Sequence, residues 1–266
     1  MSLIESSRIF YVNGAYRETG TSANFTYSFN IPDNEKYDRC VVLQASIPLS
    51  YYLIQNGYNT FTLNEGVQSV TITIPQGNYS ISSSLSVLAS LLNTASPNGF
   101  IYAMSTPNQY TSASTGRYTF TVSNNSGIQP AFIFTSYMTE VFGFNLNSTN
   151  NFISNTLVTN VLNFIPENGL YLHSDMVIGD SDILQEIYSN NTVPFSIITY
   201  SCANIESYSK PLATTDTNSF RFTLTNELDQ IMELNNQNML LTVMLYKKNN
   251  VDSIFKRFIE YSLSKN

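Results

Sequence analysis

The residues best suited to acid–base or metal chemistry fall in one short segment, Leu172-His173-Ser174-Asp175 followed by Asp180 and Asp182. His173 is the single histidine of the chain. A hydrolytic triad needs an imidazole to carry the proton between nucleophile and leaving group, with a carboxylate to orient it. Strand alternation through Leu170, Tyr171, Leu172 and His173 accounts for the histidine equally well, so it reads as a satisfied structural residue. The three aspartates could offer oxygens to a hard cation. Their spacing lacks the fixed offsets and sharp-turn glycine of an EF-hand loop, and turn or cap duty explains them better. The sequence contains no GxGxxG, no P-loop and no CxxC. Cys40 and Cys202 could form at most one bridge and read as two reduced thiols. No catalytic, cofactor-binding or metal-ligating residue is assigned, no cofactor is expected, and the chain does not read as an enzyme.

The charge balance narrows the partners. Twelve Lys and Arg stand against 19 Asp and Glu, a formal charge of −7. That excess of acid argues against the whole chain as a nucleic-acid binder, because phosphate neutralisation needs clustered bases. Lys247, Lys248, Lys256, Arg257 and Lys265 nevertheless crowd the end of the chain, against Asp252 and Glu260. Ile254, Phe255, Phe258 and Ile259 give the same stretch an apolar helical face. It suits docking onto a partner subunit, packaged nucleic acid or an anionic membrane; an ordinary terminal helix or strand closing its own sheet fits as well. The opening MSLIESSRIF lacks a basic n-region and an apolar h-region, so no signal peptide is expected, and no apolar run is long enough to span a membrane.

The elements that would position these residues are mostly short strands. Charged residues make up 12% of the chain and aromatics 13%, as 18 Tyr and 17 Phe with no Trp. Low charge with abundant Tyr, Asn, Ser and Thr suits a surface that partners cover. Alternation marks strands at Asn24 to Asn30, Val67 to Ile74, Tyr118 to Val122 and Ser219 to Thr225, with an apolar strand at Cys40 to Ile47. Asn64-Glu65-Gly66 has the length and composition of a hairpin loop. Ile81, Leu85, Leu88 and Leu92 form one helical stripe, with Ser80 or Ser82 as N-cap. Asp182 could cap a second short helix through Leu184 and Ile187, and Leu240 to Leu245 could pair with Ile231 to Leu234 across Asn235-Asn236-Gln237-Asn238. The expected fold is all-β: a jelly-roll sandwich with one or two short helices, with room for a second β subdomain. It is read as a single domain over residues 1–266, with a candidate internal boundary near 145–160, where Asn, Ser and Thr concentrate.

Several phrases, taken in order, resemble penton and minor capsid proteins of the double-jelly-roll virus lineage, which includes virophages and polinton-like viruses. Gln76-Gly77-Asn78-Tyr79 opens the helix as that family's Gly-x-Tyr step does, and Val141-Phe142-Gly143-Phe144 is similar to its Leu-Gly-Phe knot. Leu170 to Val177 resembles its tyrosine-to-aspartate strand, and Ser219 to Leu245 its closing hairpin, with Asn235-Asn236 in place of a glycine. The resemblance implies a structural subunit of the virion, pentameric at the icosahedral vertex. Its implied partners are further copies of itself, the major capsid protein, and a minor or internal component reached through the basic C-terminal segment. A small-molecule substrate is not implied. The alternative is a jelly-roll module that binds glycans for attachment.

Overall fold

In a computed structural model, the described residues are 4–32, 34–105, 115–135, 138–164, 169–179, 181–188, 193, 195–213, 218–248, 255, 259 and 261–263. The chain opens with strands β1 (Ile4–Asn13), β2 (Thr19–Gly20), β3 (Asn24–Ser28) and β4 (Arg39–Pro48). The middle holds β5 (Thr60–Glu65), β6 (Gln68–Thr73), helix α1 (Ile81–Ala95), β7 (Ile101–Ser105), β8 (Thr119–Ser123) and β9 (Ala131–Phe134). It continues through α2 (Met138–Val141), β10 (Thr149–Asn151) and β11 (Thr156–Val158). The last part contains β12 (Gly169–Ser174), β13 (Ile183–Tyr188), β14 (Ile197–Ser201) and α3 (Ile205–Tyr208). It ends with β15 (Lys210–Pro211), β16 (Ser219–Thr225) and β17 (Leu240–Lys248). Two compact units result: the first from Met1–Tyr51 with Glu167–Asn266, the second from Tyr52–Pro166.

The first unit is a jelly roll by its strand order. One sheet runs β1-β17-β4-β14 and the other β13-β12-β16-β3-β2, with every neighbouring pair antiparallel. Along the chain the eight principal strands are β1, β3, β4, β12, β13, β14, β16 and β17. The first therefore lies beside the eighth, the second beside the seventh and the third beside both the eighth and the sixth, which is the double Greek key of this architecture. Alternation drives it: Phe25, Val42, Leu172, Phe222, Leu224 and Val243 all lie in one buried core, while their neighbours in sequence face outward or the rim. Phe10 and Phe29 stack with ring centroids 4.5 Å apart.

The second unit interrupts the connection between β4 and β12. It contains a sheet ordered β10-β9-β5-β6 and another ordered β11-β8-β7. Its core is aromatic: Phe61 stacks on Phe134 at 4.7 Å, and Phe132 meets Phe120 and Phe152 edge-on at 5.2 Å each. Ser80 caps α1, accepting from the Ser83 amide at 3.1 Å while the Ser83 hydroxyl accepts from the Ser80 amide at 2.9 Å. The buried stripe of α1 is Ser84, Leu88 and Leu92 rather than one led by Ile81, which is 42% exposed. Ser84 is admitted because its hydroxyl lies 2.6 Å from that of buried Tyr118. The Asn/Ser/Thr-rich region near 145–160 is internal to this unit, where it supplies β10 and β11.

Two local expectations are corrected. Residues 183–188 form strand β13 instead of a helix capped by Asp182. A bulge against Leu172 and His173 inserts one extra residue, so buried Leu184 and Ile187 stand three apart and mimic a helical spacing. Leu240 to Leu245 does not pair with Ile231 to Leu234: β17 is hydrogen-bonded on one side to β1 and on the other to β4, leaving no edge for a hairpin partner. The segment before it plugs the sandwich instead, with Met232, Leu234 and Met239 fully buried. Asn235 and Asn236 turn there with φ of 46° and 62°, left-handed values that asparagine tolerates best after glycine.

Candidate functional site

His173 projects from β12 on the face of its sheet away from the core. Its Nδ1 lies 2.8 Å from Asp182 Oδ1 and its Nε2 2.9 Å from Thr225 Oγ1, with Asp229 Oδ1 4.0 Å from Nε2. The order carboxylate, imidazole, hydroxyl is that of a relay. Thr225 is 5% exposed and paired to Tyr171 in the sheet, and it lines an open pocket of ≈ 350 Å³ with His173, Asp182, Arg221 and Asp229. Asp175 serves a turn, its Oδ1 accepting from the Arg221 amide at 2.8 Å. Asp180 lies outside the described residues. Among the described residues no three His, Cys, Asp or Glu side chains are placed to hold a metal ion.

The cysteines are unpaired, Cys40 in the core and Cys202 partly buried. Of the basic terminal stretch, Lys247 pairs with Glu5 at 3.2 Å at the end of β17. Phe255 and Ile259 are helical and exposed, as are Tyr261 and Leu263; Ile254, Lys256, Arg257, Phe258 and Lys265 lie outside the described residues.

One uncovered surface feature belongs to the β1-β17-β4-β14 sheet. One end of its outer face is occupied: Val41, Met244 and Tyr246 pack with Leu43, Cys202 and Ile205 of α3. The other end is bare. There the register aligns Tyr11, Thr242, Gln44 and Ser201 in one row across four strands, and Asn13, Leu240, Ser46 and Thr199 in the next. A groove of ≈ 690 Å³ runs between these rows, and none of its lining residues is charged. Tyr11 is 76% exposed, and Ile9, Ile197 and Leu240 add aliphatic surface nearby. β1 and β14 flank the face as sheet edges, each with one side unpaired among the described residues.

The same unit carries a second groove, of ≈ 640 Å³, between β13 and α3, lined by Tyr188, Tyr200 and Tyr208 with Gln185, Glu186 and Lys210 among others. Sequence reasoning missed both. Each collects residues from strands far apart in the chain, and only the alternation within single strands was legible beforehand.

No protein-family model matches the chain, and no curated protein matches it. Among solved structures it is similar to the mavirus penton protein, at 11% identity over 91% of this chain and 100% of that one, with a TM-score of 0.44.

Proposed function

We propose that the chain is a structural subunit of a viral capsid and that the bare end of the β1-β17-β4-β14 sheet is where a second copy docks. The uncharged lining of that face carries the reading. In a chain of formal net charge −7, an outer face presenting Tyr, Leu, Asn, Gln, Ser and Thr with no charged side chain has the composition of an interface core, from which charge is depleted. The unpaired edges of β1 and β14 beside it offer backbone donors and acceptors to a neighbour. The ordered sequence resemblance to penton and minor capsid proteins supports the same reading.

The face lies on one side of the jelly roll, so a contact with any other part of the next copy is heterologous, and such a contact makes a ring where its rotation closes. In this proposal the ring is a pentamer closing an icosahedral vertex, and both units belong to that one subunit. The major capsid protein surrounds it, and the basic C-terminal segment reaches a minor or internal component. Light scattering after size exclusion tests the ring: a pentamer of the 29.9 kDa chain weighs five times as much, about 150 kDa. A monomer that also fails to join capsids formed with the major capsid protein would overturn the proposal.

A further inference from the structure

The groove between β13 and α3 has a composition unlike the assembly face. Tyr188 on β13 is 65% exposed and Tyr208 at the end of α3 is 45% exposed, so both offer ring area to a ligand. Gln185, Glu186 and Lys210 line the same groove; Gln185 is 7% exposed, and its Nε2 donates to the Glu186 carbonyl at 2.7 Å. The Tyr200 hydroxyl is buried beside the Cys202 side chain. Burial holds its phenol well above the usual tyrosine range, and the adjacent Cys202 and Tyr208 add to the shift.

We infer that this groove binds a neutral saccharide. The physical match is specific. A pyranose has an apolar face of C–H bonds and a rim of vicinal hydroxyls. An exposed tyrosine presents a flat apolar ring with a polar tip, which suits the first. Carboxylate, amide and ammonium groups suit the second, as acceptor, donor–acceptor and donor respectively. The volume of ≈ 640 Å³ fits one or two sugar rings and falls within the range of ligand clefts.

The charges in and near the groove disfavour acidic sugars. Glu186 and Lys210 line it as one acid and one base, while Glu206 on α3 and Glu227, which acts on Tyr188, add negative charge nearby. Glu186 is already oriented, because the Tyr188 hydroxyl donates to its Oε1. Lys210 is fixed by its strand: β15 pairs with β4, and the Lys210 carbonyl accepts from the Cys40 thiol at 3.7 Å. The ligand groups thus stand on paired strands and a short capped helix.

Saturation-transfer NMR on the full chain, with panels of neutral galactose-, glucose- and mannose-containing oligosaccharides and their sialylated counterparts, tests this. Transfer to ring protons of at least one neutral sugar is expected, and weaker transfer to its sialylated form. Tyr208→Ala and Tyr188→Ala should each weaken binding about tenfold, while Tyr208→Phe keeps most of it. Both residues are surface-exposed, so circular dichroism and solution mass of the three variants should match the parent. No transfer to any neutral sugar, or binding indifferent to both alanine variants, overturns the inference. Solution mass reads the assembly proposal separately, so either can fail alone.

Discussion

The Glu65 carboxylate, wholly buried at the end of β5, accepts a hydrogen bond of 2.8 Å from the Tyr102 phenol. Ser96 Oγ donates to the same oxygen at 2.7 Å, and the Asn98 amide to the other at 2.9 Å. These donors are neutral and come from β7 and the end of α1, so one carboxylate ties the β5–β6 hairpin to the helix. Burial and the neighbouring carboxylate push the Tyr102 phenol well above its usual range. Glu65→Ala leaves the buried Tyr102 phenol without its acceptor and releases half-buried Ser96 and exposed Asn98 to water, and should cost about 2–3 kcal/mol. Tyr102→Phe removes one partner and should cost about 1–2 kcal/mol. Urea unfolding followed by tyrosine fluorescence measures both; equal, small losses would show that the network contributes little.

Gly143 and Gly127 both have left-handed backbones, with φ of 68° and 74°. They differ in what surrounds them. A Cβ at Gly143 would stand 2.4 Å from the Asn160 carbonyl oxygen, whereas at Gly127 nothing lies within 4 Å. Gly127→Ala should therefore cost only the conformational penalty, about 1 kcal/mol. Gly143→Ala must also push backbone aside, breaking the 2.7 Å bond from the Asn160 amide to the Gly143 carbonyl, and should cost at least about 1–2 kcal/mol more. Thermal unfolding of the two variants side by side decides it.

Most strands were legible because their burial depends on immediate neighbours. Phe25 in β3, Phe220 and Phe222 in β16 and Phe120 in β8 are buried as period-two alternation requires. What escaped the sequence depends on contacts across many residues. Glu65 looked like part of a polar hairpin loop, and only the approach of Ser96, Asn98 and Tyr102 makes it a buried anchor. Ser84 entered the helix core through Tyr118, 34 residues away. The bulge that put Leu184 and Ile187 out of phase lies in a strand pair, not in a strand. The tyrosines of the β13–α3 groove are ordinary surface residues until β13, β14 and α3 meet.

The two thiols should differ sharply in reactivity. Burial pushes the Cys40 thiol up to about 12, while Cys202 is partly accessible. An aromatic disulfide reagent at pH 8 should therefore titrate one thiol per native chain and two after denaturation, since the thiolate is the reacting species. The linkage follows. Because the folded value is raised, the contribution of Cys40 to stability is fully present below the unfolded thiol range and is lost as pH rises from about 9 toward about 12. Cys40→Ser should flatten that part of the stability profile. Two fast thiols in the native protein would contradict the burial of Cys40.

Assembly can be separated from folding at Tyr11 and Leu240. Both project from the outer face of the β1-β17-β4-β14 sheet, at 76% and 47% exposure, so a charged substitution meets water in the monomer and should change its stability by about 0.5 kcal/mol or less. In the docked state the same charge would be buried opposite an uncharged surface without a counter-ion, which costs several kcal/mol per contact. A ring repeats the contact at every subunit, so the penalty multiplies and the assembled species should vanish. Tyr11→Asp and Leu240→Lys are each expected to give a monomer by light scattering that still melts cooperatively by calorimetry, with a melting temperature below the parent's by no more than the lost assembly accounts for. Val67→Asp is the control: Val67 is 98% exposed in the β5–β6 turn and belongs to the other unit. It should leave the mass untouched. If both sheet-face variants assemble as the parent does, the docking surface lies elsewhere; if the control also dissociates the ring, the contact extends to the second unit.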